Sequence, residues 1–161
     1  MKRHPALIPL SRDHHNGLVQ AMRLRRAAAD GDASARLAAA RDFGEFFRNE
    51  ERVHLRDEEE ELFPLLLRHV SAQPAPLREA RVQHVQLQGF ARKLAIAAAA
   101  GVVDRETLDA TGALLDAHIR LEDQLGTALN GDHTFTRFNP VVGGTYKITP
   151  TIGTISAAGA T

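Results

Sequence analysis

Two segments of the sequence place an imidazole and a carboxylate one helical turn apart. His54 and Glu58 form HLRDE, and His118 and Glu122 form HIRLE. Residues at positions i and i+4 share one face of a helix, and in both segments this face also carries the apolar residues. A carboxylate on an apolar face is costly unless it is paired or bound to a metal. The two pairs therefore indicate a buried site with a cation as their common partner.

Other histidines extend this pattern to two further helices. His84 lies in the middle of an apolar stripe whose members alternate at spacings of three and four, and the first helical stretch offers His14 or His15. A single histidine on such a stripe is usually a core residue. Four helices that each place a histidine near mid-length on the inward face predict a metal site instead.

The donor types limit which metal this site can hold. The chain has no cysteine, which excludes thiolate ligands, iron-sulfur clusters, disulfides and thiol nucleophiles. Imidazole and carboxylate suit iron, manganese or zinc, and two carboxylates able to bridge in a four-helix core favour two ions over one. Iron is the first choice, with zinc or manganese as less favoured alternatives.

The elements that would position these residues are four helical stretches. Apolar periodicity predicts helices over residues 10–29, 35–70, 77–98 and 105–129, with Asp104 capping the last one and Pro64 kinking the second. Short loops between them predict an all-α fold, an antiparallel up-down-up-down four-helix bundle. The bundle domain covers residues 1–130, and residues 131–161, rich in Gly, Thr and Ala, form an irregular C-terminal tail.

Charge and hydropathy narrow the classes of partner. Lys plus Arg and Asp plus Glu both total 20, so no net field favours nucleic acid or an anionic membrane. The N-terminal residues contain no long apolar run that would form a signal peptide or a membrane span. We therefore expect a cytoplasmic protein without nucleic-acid or membrane partners.

Four segments together resemble the hemerythrin-like proteins of the HHE cation-binding group. They are LSRDHHNGL, HLRDEEEELFP, the dipeptide Gln83-His84, and AHIRLED, and they span about residues 5–125. The resemblance implies a hemerythrin-like bundle with two non-haem iron ions. It also implies that the irons are bridged by two carboxylates and an oxo or hydroxo group. The residues that match as terminal ligands are His54, His84 and His118, and those that match as bridges are Glu58 and Glu122.

The first helix offers two adjacent histidines as the ligand. Family members often carry a histidine three residues before a leucine, which selects His15 with Leu18, whereas the apolar stripe of this helix favours His14. We predict His15, with His14 as the alternative.

Oxygen-carrying hemerythrins have a second histidine one turn before the ligand of the third helix, where this chain has Ala80. One iron would then be short of a nitrogen ligand.

Three functions follow from this interpretation. The first is a non-haem di-iron protein that binds, senses or reacts with dioxygen or a related small molecule such as peroxide or nitric oxide, or that handles iron. A redox protein is a possible partner. The second is a di-iron redox enzyme with turnover. The third is a helical interaction module without a metal.

Overall fold

The computed structural model describes residues 8–68 and 73–128. Over these residues the chain forms four helical stretches and no strand, which confirms the predicted all-α class. The helices are α1 (Ile8–Asp30), α2 (residues 33–67), α3 (Ala75–Ala99) and α4 (Arg105–Ala128). None of them is both long and apolar enough to cross a membrane. The up-down-up-down order stays a prediction, and the predicted tail, residues 131–161, lies outside the described residues.

Local sequence signals set the helix ends. Asp32 precedes α2 and accepts a hydrogen bond from the backbone N–H of Ala35 at 2.8 Å. Asp104 precedes α4 and accepts from both the N–H and the hydroxyl of Thr107, at 2.7 and 2.8 Å. These side chains satisfy backbone donors that have no partner within a helix. After α3, Gly101 adopts a φ of 75°, a left-handed conformation that glycine enters without steric cost.

Helix α2 is continuous but not uniform. Two π-helical turns, Phe47–Glu51 and Glu58–Leu62, interrupt its α-helical segments Ala33–Phe46, Arg52–Asp57 and Phe63–Leu67. Such turns have i→i+5 hydrogen bonds and occur often at functional sites. Pro64 falls in the first turn of the last α segment, where a missing N–H is best tolerated, and the helix continues through it. The two π turns lie on either side of His54, the second beginning at Glu58.

The helices pack around a core that is apolar at two levels and polar between them. Helices α1 and α3 each contact both α2 and α4. The larger apolar cluster includes Leu87, whereas a smaller one contains Phe63, Leu77 and Ala80. Along α3, His84 lies between Ala80 of the smaller cluster and Leu87 of the larger one. The polar centre is therefore enclosed by apolar packing on both sides.

Two glycines allow α1 and α4 to approach closely. A Cβ atom on Gly112 would lie 2.7 Å from the backbone oxygen of Ala21, and one on Gly17 would lie 2.6 Å from Cδ1 of Ile119. A larger residue at Gly112 would push the helices apart, because backbone atoms cannot move aside as a side chain can. The close approach at these two glycines brings the first half of α1, including His14, against α4.

Candidate metal centre

Glu122 is the carboxylate on which histidines from all four helices converge. Its Oε1 lies 2.8 Å from Nε2 of His118 and 3.5 Å from Nε2 of His84. Its Oε2 lies 3.2 Å from Nε2 of His14 and 3.6 Å from Nε2 of His54. Each carboxylate oxygen thus faces two imidazoles, and each helix provides one of the four.

Glu58 is the second carboxylate of the cluster. Its Oε2 lies 3.3 Å from Nε2 of His84, and its Oε1 lies 3.6 Å from Nε2 of His54. The donor atoms form two groups within which all atoms lie within 4.8 Å of one another: Glu58, His84, His118 and Glu122 in one, and His14, His54 and Glu122 in the other. Glu122 belongs to both groups, which is the arrangement required of a bridging carboxylate.

The inward-facing atoms have no hydrogen-bond partner within the described part of the chain. These buried atoms are Nε2 of His14, His84 and His118, Oε2 of Glu58, and both oxygens of Glu122. Although some approach to 2.8 Å, their directions do not satisfy hydrogen bonding. Buried polar atoms without partners are rare and costly in proteins. Six of them in one cluster of nitrogen and oxygen donors fit a site built to hold metal ions.

The other ring nitrogen of each histidine faces an acceptor outside the cluster. The contacts join Nδ1 of His14 to Asp123 at 3.1 Å, of His54 to Asp13 at 3.7 Å, of His84 to Glu59 at 3.0 Å, and of His118 to Gln83 at 3.3 Å. We call Asp13, Glu59, Gln83 and Asp123 the outer acceptors. The contacts of His14, His84 and His118 are hydrogen bonds in which a carboxylate or amide oxygen accepts, so Nδ1 donates and a neutral imidazole keeps its lone pair on Nε2. The contact of His54 with Asp13 has the longer distance of an ion pair. Histidines that bind metals are usually held in this way.

The outer acceptors connect the helices in a closed circle. Each one is adjacent in sequence to a member of the cluster but holds the histidine of a different helix. Asp13 of α1 serves α2, Glu59 of α2 serves α3, Gln83 of α3 serves α4, and Asp123 of α4 serves α1. The orientation of every cluster histidine therefore depends on the packing of a neighbouring helix.

Two outer acceptors are held in place by further side chains. Nε of Arg81 donates to Glu59 at 2.8 Å, and the amide nitrogen of Gln83 donates to Glu79 at 3.1 Å. The second contact orients the Gln83 amide so that its oxygen faces His118. These contacts restrict the rotamers of the outer acceptors.

In the metal-free cluster, three histidines with raised pKa values, His14, His54 and His84, surround the ionised carboxylate of Glu122. Burial lowers the pKa of His84, but the close carboxylates of Glu122 and Glu58 outweigh this effect and raise it to about 9. Burial raises the pKa of Glu58 to about 7, and the charge of Glu122 adds to the shift. Burial also opposes ionisation of Glu122, but the surrounding imidazoles, His118 first, hold its pKa well below its usual value. Positive charge is thus stabilised at this position.

The structure brings most of the predicted site residues together. The five that meet in the cluster are His54, Glu58, His84, His118 and Glu122. His15, the predicted ligand of α1, is exposed and lies outside both donor groups. His14 occupies that place in the structure, and the assignment of a metal ligand on α1 stays a prediction. The two residues differ by about 100° around the helix axis, which turns one inward and the other outward.

Ala80, which occupies the position of the second α3 histidine of oxygen-carrying hemerythrins, lies in apolar packing. Its side chain is fully buried in the smaller apolar cluster with Phe63 and Leu77. The ring of Phe63 stacks on His84 with centroids 5.4 Å apart and an interplanar angle of 17°. Apolar side chains therefore fill this level of the core.

Sequence reasoning did not assign a role to five residues around the cluster. Four are the outer acceptors, and their signal is adjacency to a predicted ligand, as in Gln83-His84 and Glu122-Asp123. The fifth is Glu51, which is only 5% exposed and lies on α2 three positions before His54. In the sequence, an acidic residue one turn before a ligand cannot be distinguished from an ordinary charged residue on the helix surface.

Comparison with known proteins agrees with this geometry. Neither the curated proteins nor the solved structures gave a match. The family model described as the hemerythrin HHE cation binding domain matches residues 6–126. That range contains every member of the cluster and every outer acceptor. The chain belongs to the hemerythrin HHE cation-binding family.

Proposed function

We propose that the protein binds two non-haem iron ions and uses them to bind, sense or react with dioxygen or a related small molecule. One observation carries the proposal: Glu122 is shared by two donor groups, each with two histidines. A single ion would need only one of these groups. Two ions held by Glu122, with Glu58 as the second bridge, would use the inward-facing atoms that lack hydrogen bonds.

The donor sets support iron over zinc. The group of four donors would satisfy the closed tetrahedral geometry of a structural zinc ion. The group of His14, His54 and Glu122 supplies two imidazoles and one carboxylate, a set typical of non-haem iron sites with open positions. Zinc also binds two histidines and one glutamate with a water in the fourth position, so the preference for iron rests on the two carboxylates that can bridge a pair of ions in a four-helix core. We therefore favour iron at both positions, with zinc or manganese as the alternatives.

The surroundings of the site favour a small ligand. His84, His118 and Glu122 are all almost fully buried, and apolar clusters pack above and below them. Iron in such a site supplies reversible binding or electron transfer to a diatomic molecule such as dioxygen or nitric oxide, or to peroxide. The protein residues supply the donors, hold the histidines in one tautomer and exclude bulk water. The antiparallel topology, a cytoplasmic location and a redox partner stay part of the proposal.

Iron reconstitution tests the proposal directly. The protein is loaded with ferrous iron under anaerobic conditions, desalted, analysed for metal content and exposed to air. We expect about two irons per chain and near-ultraviolet absorption of an oxo-bridged pair, as in the four-helix di-iron carboxylate proteins. Glu122→Gln should lose most of both ions, because it removes the shared anionic donor. Glu106→Gln is the matched control, since Glu106 is exposed on the same helix.

The outcomes separate the alternatives. Retention of two irons by Glu122→Gln, or retention of zinc alone by the parent, would contradict the di-iron assignment. Repeated consumption of peroxide or nitric oxide by the loaded protein would assign it to the enzymes, whereas a stable complex with one equivalent would assign it to the binding proteins.

A further inference from the structure

Glu51 is a buried carboxylate beside the cluster that neither donor group includes. It lies at the end of the first π turn of α2, three positions before His54, and is 5% exposed. Residues three apart lie on neighbouring parts of one helix face. The carboxylate of Glu51 accordingly lies within electrostatic range of His54, Glu122 and His14.

Within the described residues, no hydrogen bond or ion pair holds this carboxylate. The other two buried glutamates, Glu58 and Glu122, each contact at least two histidines. Burial raises the pKa of Glu51 to about 7, although the neighbouring imidazoles partly oppose the shift. A buried ionisable group that the fold leaves without a partner is costly to the metal-free protein. Such a cost is commonly retained where the group serves a bound ligand.

The charge of a metal pair supplies the missing partner. Two divalent ions carry four positive charges, and the buried carboxylates of the donor groups, Glu58 and Glu122, contribute only two negative ones. The carboxylates among the outer acceptors, Asp13, Glu59 and Asp123, are 41%, 31% and 43% exposed, so water screens much of their charge. Buried charge without compensation is strongly unfavourable. The imbalance is greater at the position of His14 and His54, where Glu122 is the only carboxylate of the donor group, than at the other position, which has two.

We propose that Glu51 is the third buried carboxylate of the metal centre and serves the position formed by His14 and His54. Its donor atoms do not converge with that group within 4.8 Å, so it acts from outside the direct ligands. It compensates the charge of the ion there and accepts a hydrogen bond from a water molecule that fills an open coordination position. This inference rests on the proposed function, because it requires two bound ions.

Iron affinity measured for each ion separately tests this role. The metal-free protein is titrated anaerobically with ferrous iron in competition with a chromophoric chelator. We expect Glu51→Gln to weaken one of the two binding steps by roughly 10- to 100-fold, the usual effect of removing an outer partner of a metal. That step should be the one lost in His14→Ala. Glu50→Gln is the matched control, because Glu50 is adjacent but exposed, and glutamine can still accept the hydrogen bond from Asn16.

Thermal unfolding of the metal-free variants gives a readout independent of iron. At pH 8, Glu51→Gln should melt at the same temperature as the parent or a few degrees higher, because it removes an unpaired buried charge. Equal affinity of Glu51→Gln and the parent for both ions would overturn the inference while leaving the di-iron proposal intact. A lower melting temperature for this variant would also overturn it, by revealing a structural partner. Fewer than two ions in the parent would instead defeat the proposed function itself.

Discussion

Removal of Glu59 should weaken metal binding without removing any metal ligand. Glu59 accepts from Nδ1 of His84 at 3.0 Å and is itself held by Arg81 at 2.8 Å. His84 is 2% exposed, so in Glu59→Ala its Nδ1–H loses its acceptor within an enclosed site. The imidazole then becomes less basic at Nε2 and less fixed in orientation.

The contacts set the size of this effect. Loss of an outer partner of a metal-binding histidine usually costs 10- to 100-fold in affinity, which corresponds to about 1.4–2.8 kcal/mol. A hydrogen bond to a charged group contributes a similar amount, about 1.5–3 kcal/mol. The Glu59 side chain is 31% exposed, so water can partly replace it. We therefore expect the lower end of the range, a loss of about tenfold.

Chelator competition on the metal-free protein measures this loss. Glu60→Ala is the control, because Glu60 is the exposed neighbour in the same π turn. Glu59→Gln should recover most of the affinity, since its amide oxygen can still accept from Nδ1. Equal affinities for Glu59→Ala and Glu60→Ala would refute the idea that the outer acceptors position the cluster histidines.

Two other predictions concern pH and packing. The pKa of His84 is raised from 6.5 to about 9 in the folded protein, so the stability it contributes to the metal-free protein is full below pH 6.5 and is lost as pH rises through 9. The melting temperature of the metal-free protein should therefore fall between these pH values. A melting temperature that does not change with pH would contradict the contact with Glu122. Ala80→His should destabilise the metal-free protein by roughly 1–3 kcal/mol in urea unfolding, because Ala80 is fully buried beside Phe63. Ala99→His is the control and should have little effect, because Ala99 is exposed on the same helix. Equal stability of the two variants would show that the space around Ala80 is open.

The helices and the paired ligands could be predicted because both depend on short-range spacing. An i, i+4 relation holds in any regular helix, so His118 and Glu122 had to share a face wherever α4 packed. The cap at Asp104 is equally local, since it needs only the three residues that follow it. Neither prediction required knowledge of a neighbouring helix.

The choice between His14 and His15 was not local in this sense. Both residues lie in the same turn, and the pattern of leucines favoured one while the family pattern favoured the other. The close approach of α1 to α4 at Gly112 settles which side of α1 faces inward. That approach depends on the fit of two helix surfaces far apart in sequence, so periodicity within α1 could not determine it.

The outer acceptors show the same limit more clearly. Glu59 belongs to a run of four glutamates, a pattern typical of a solvated helix face. Its contacts with His84 and Arg81 of α3 distinguish it from exposed Glu60. The π turn that begins at Glu58 changes the angular positions of the residues after it. An ideal helical wheel of α2 would therefore misplace this part of the helix.

The circle of outer acceptors also has a consequence for how metal binding and folding are coupled. Asp123 of α4 holds His14 of α1, and Asp13 of α1 contacts His54 of α2. Displacement of α4 therefore disturbs His14 directly, and a resulting shift of α1 disturbs His54. The cluster atoms without hydrogen bonds make the metal-free core costly, so bound ions should stabilise the packed arrangement over any partly opened one. A site made of independent ligands would lose affinity stepwise as helices loosened. A site whose ligands are connected in a circle should instead lose all its metal ions in the same step in which the helices lose their packing.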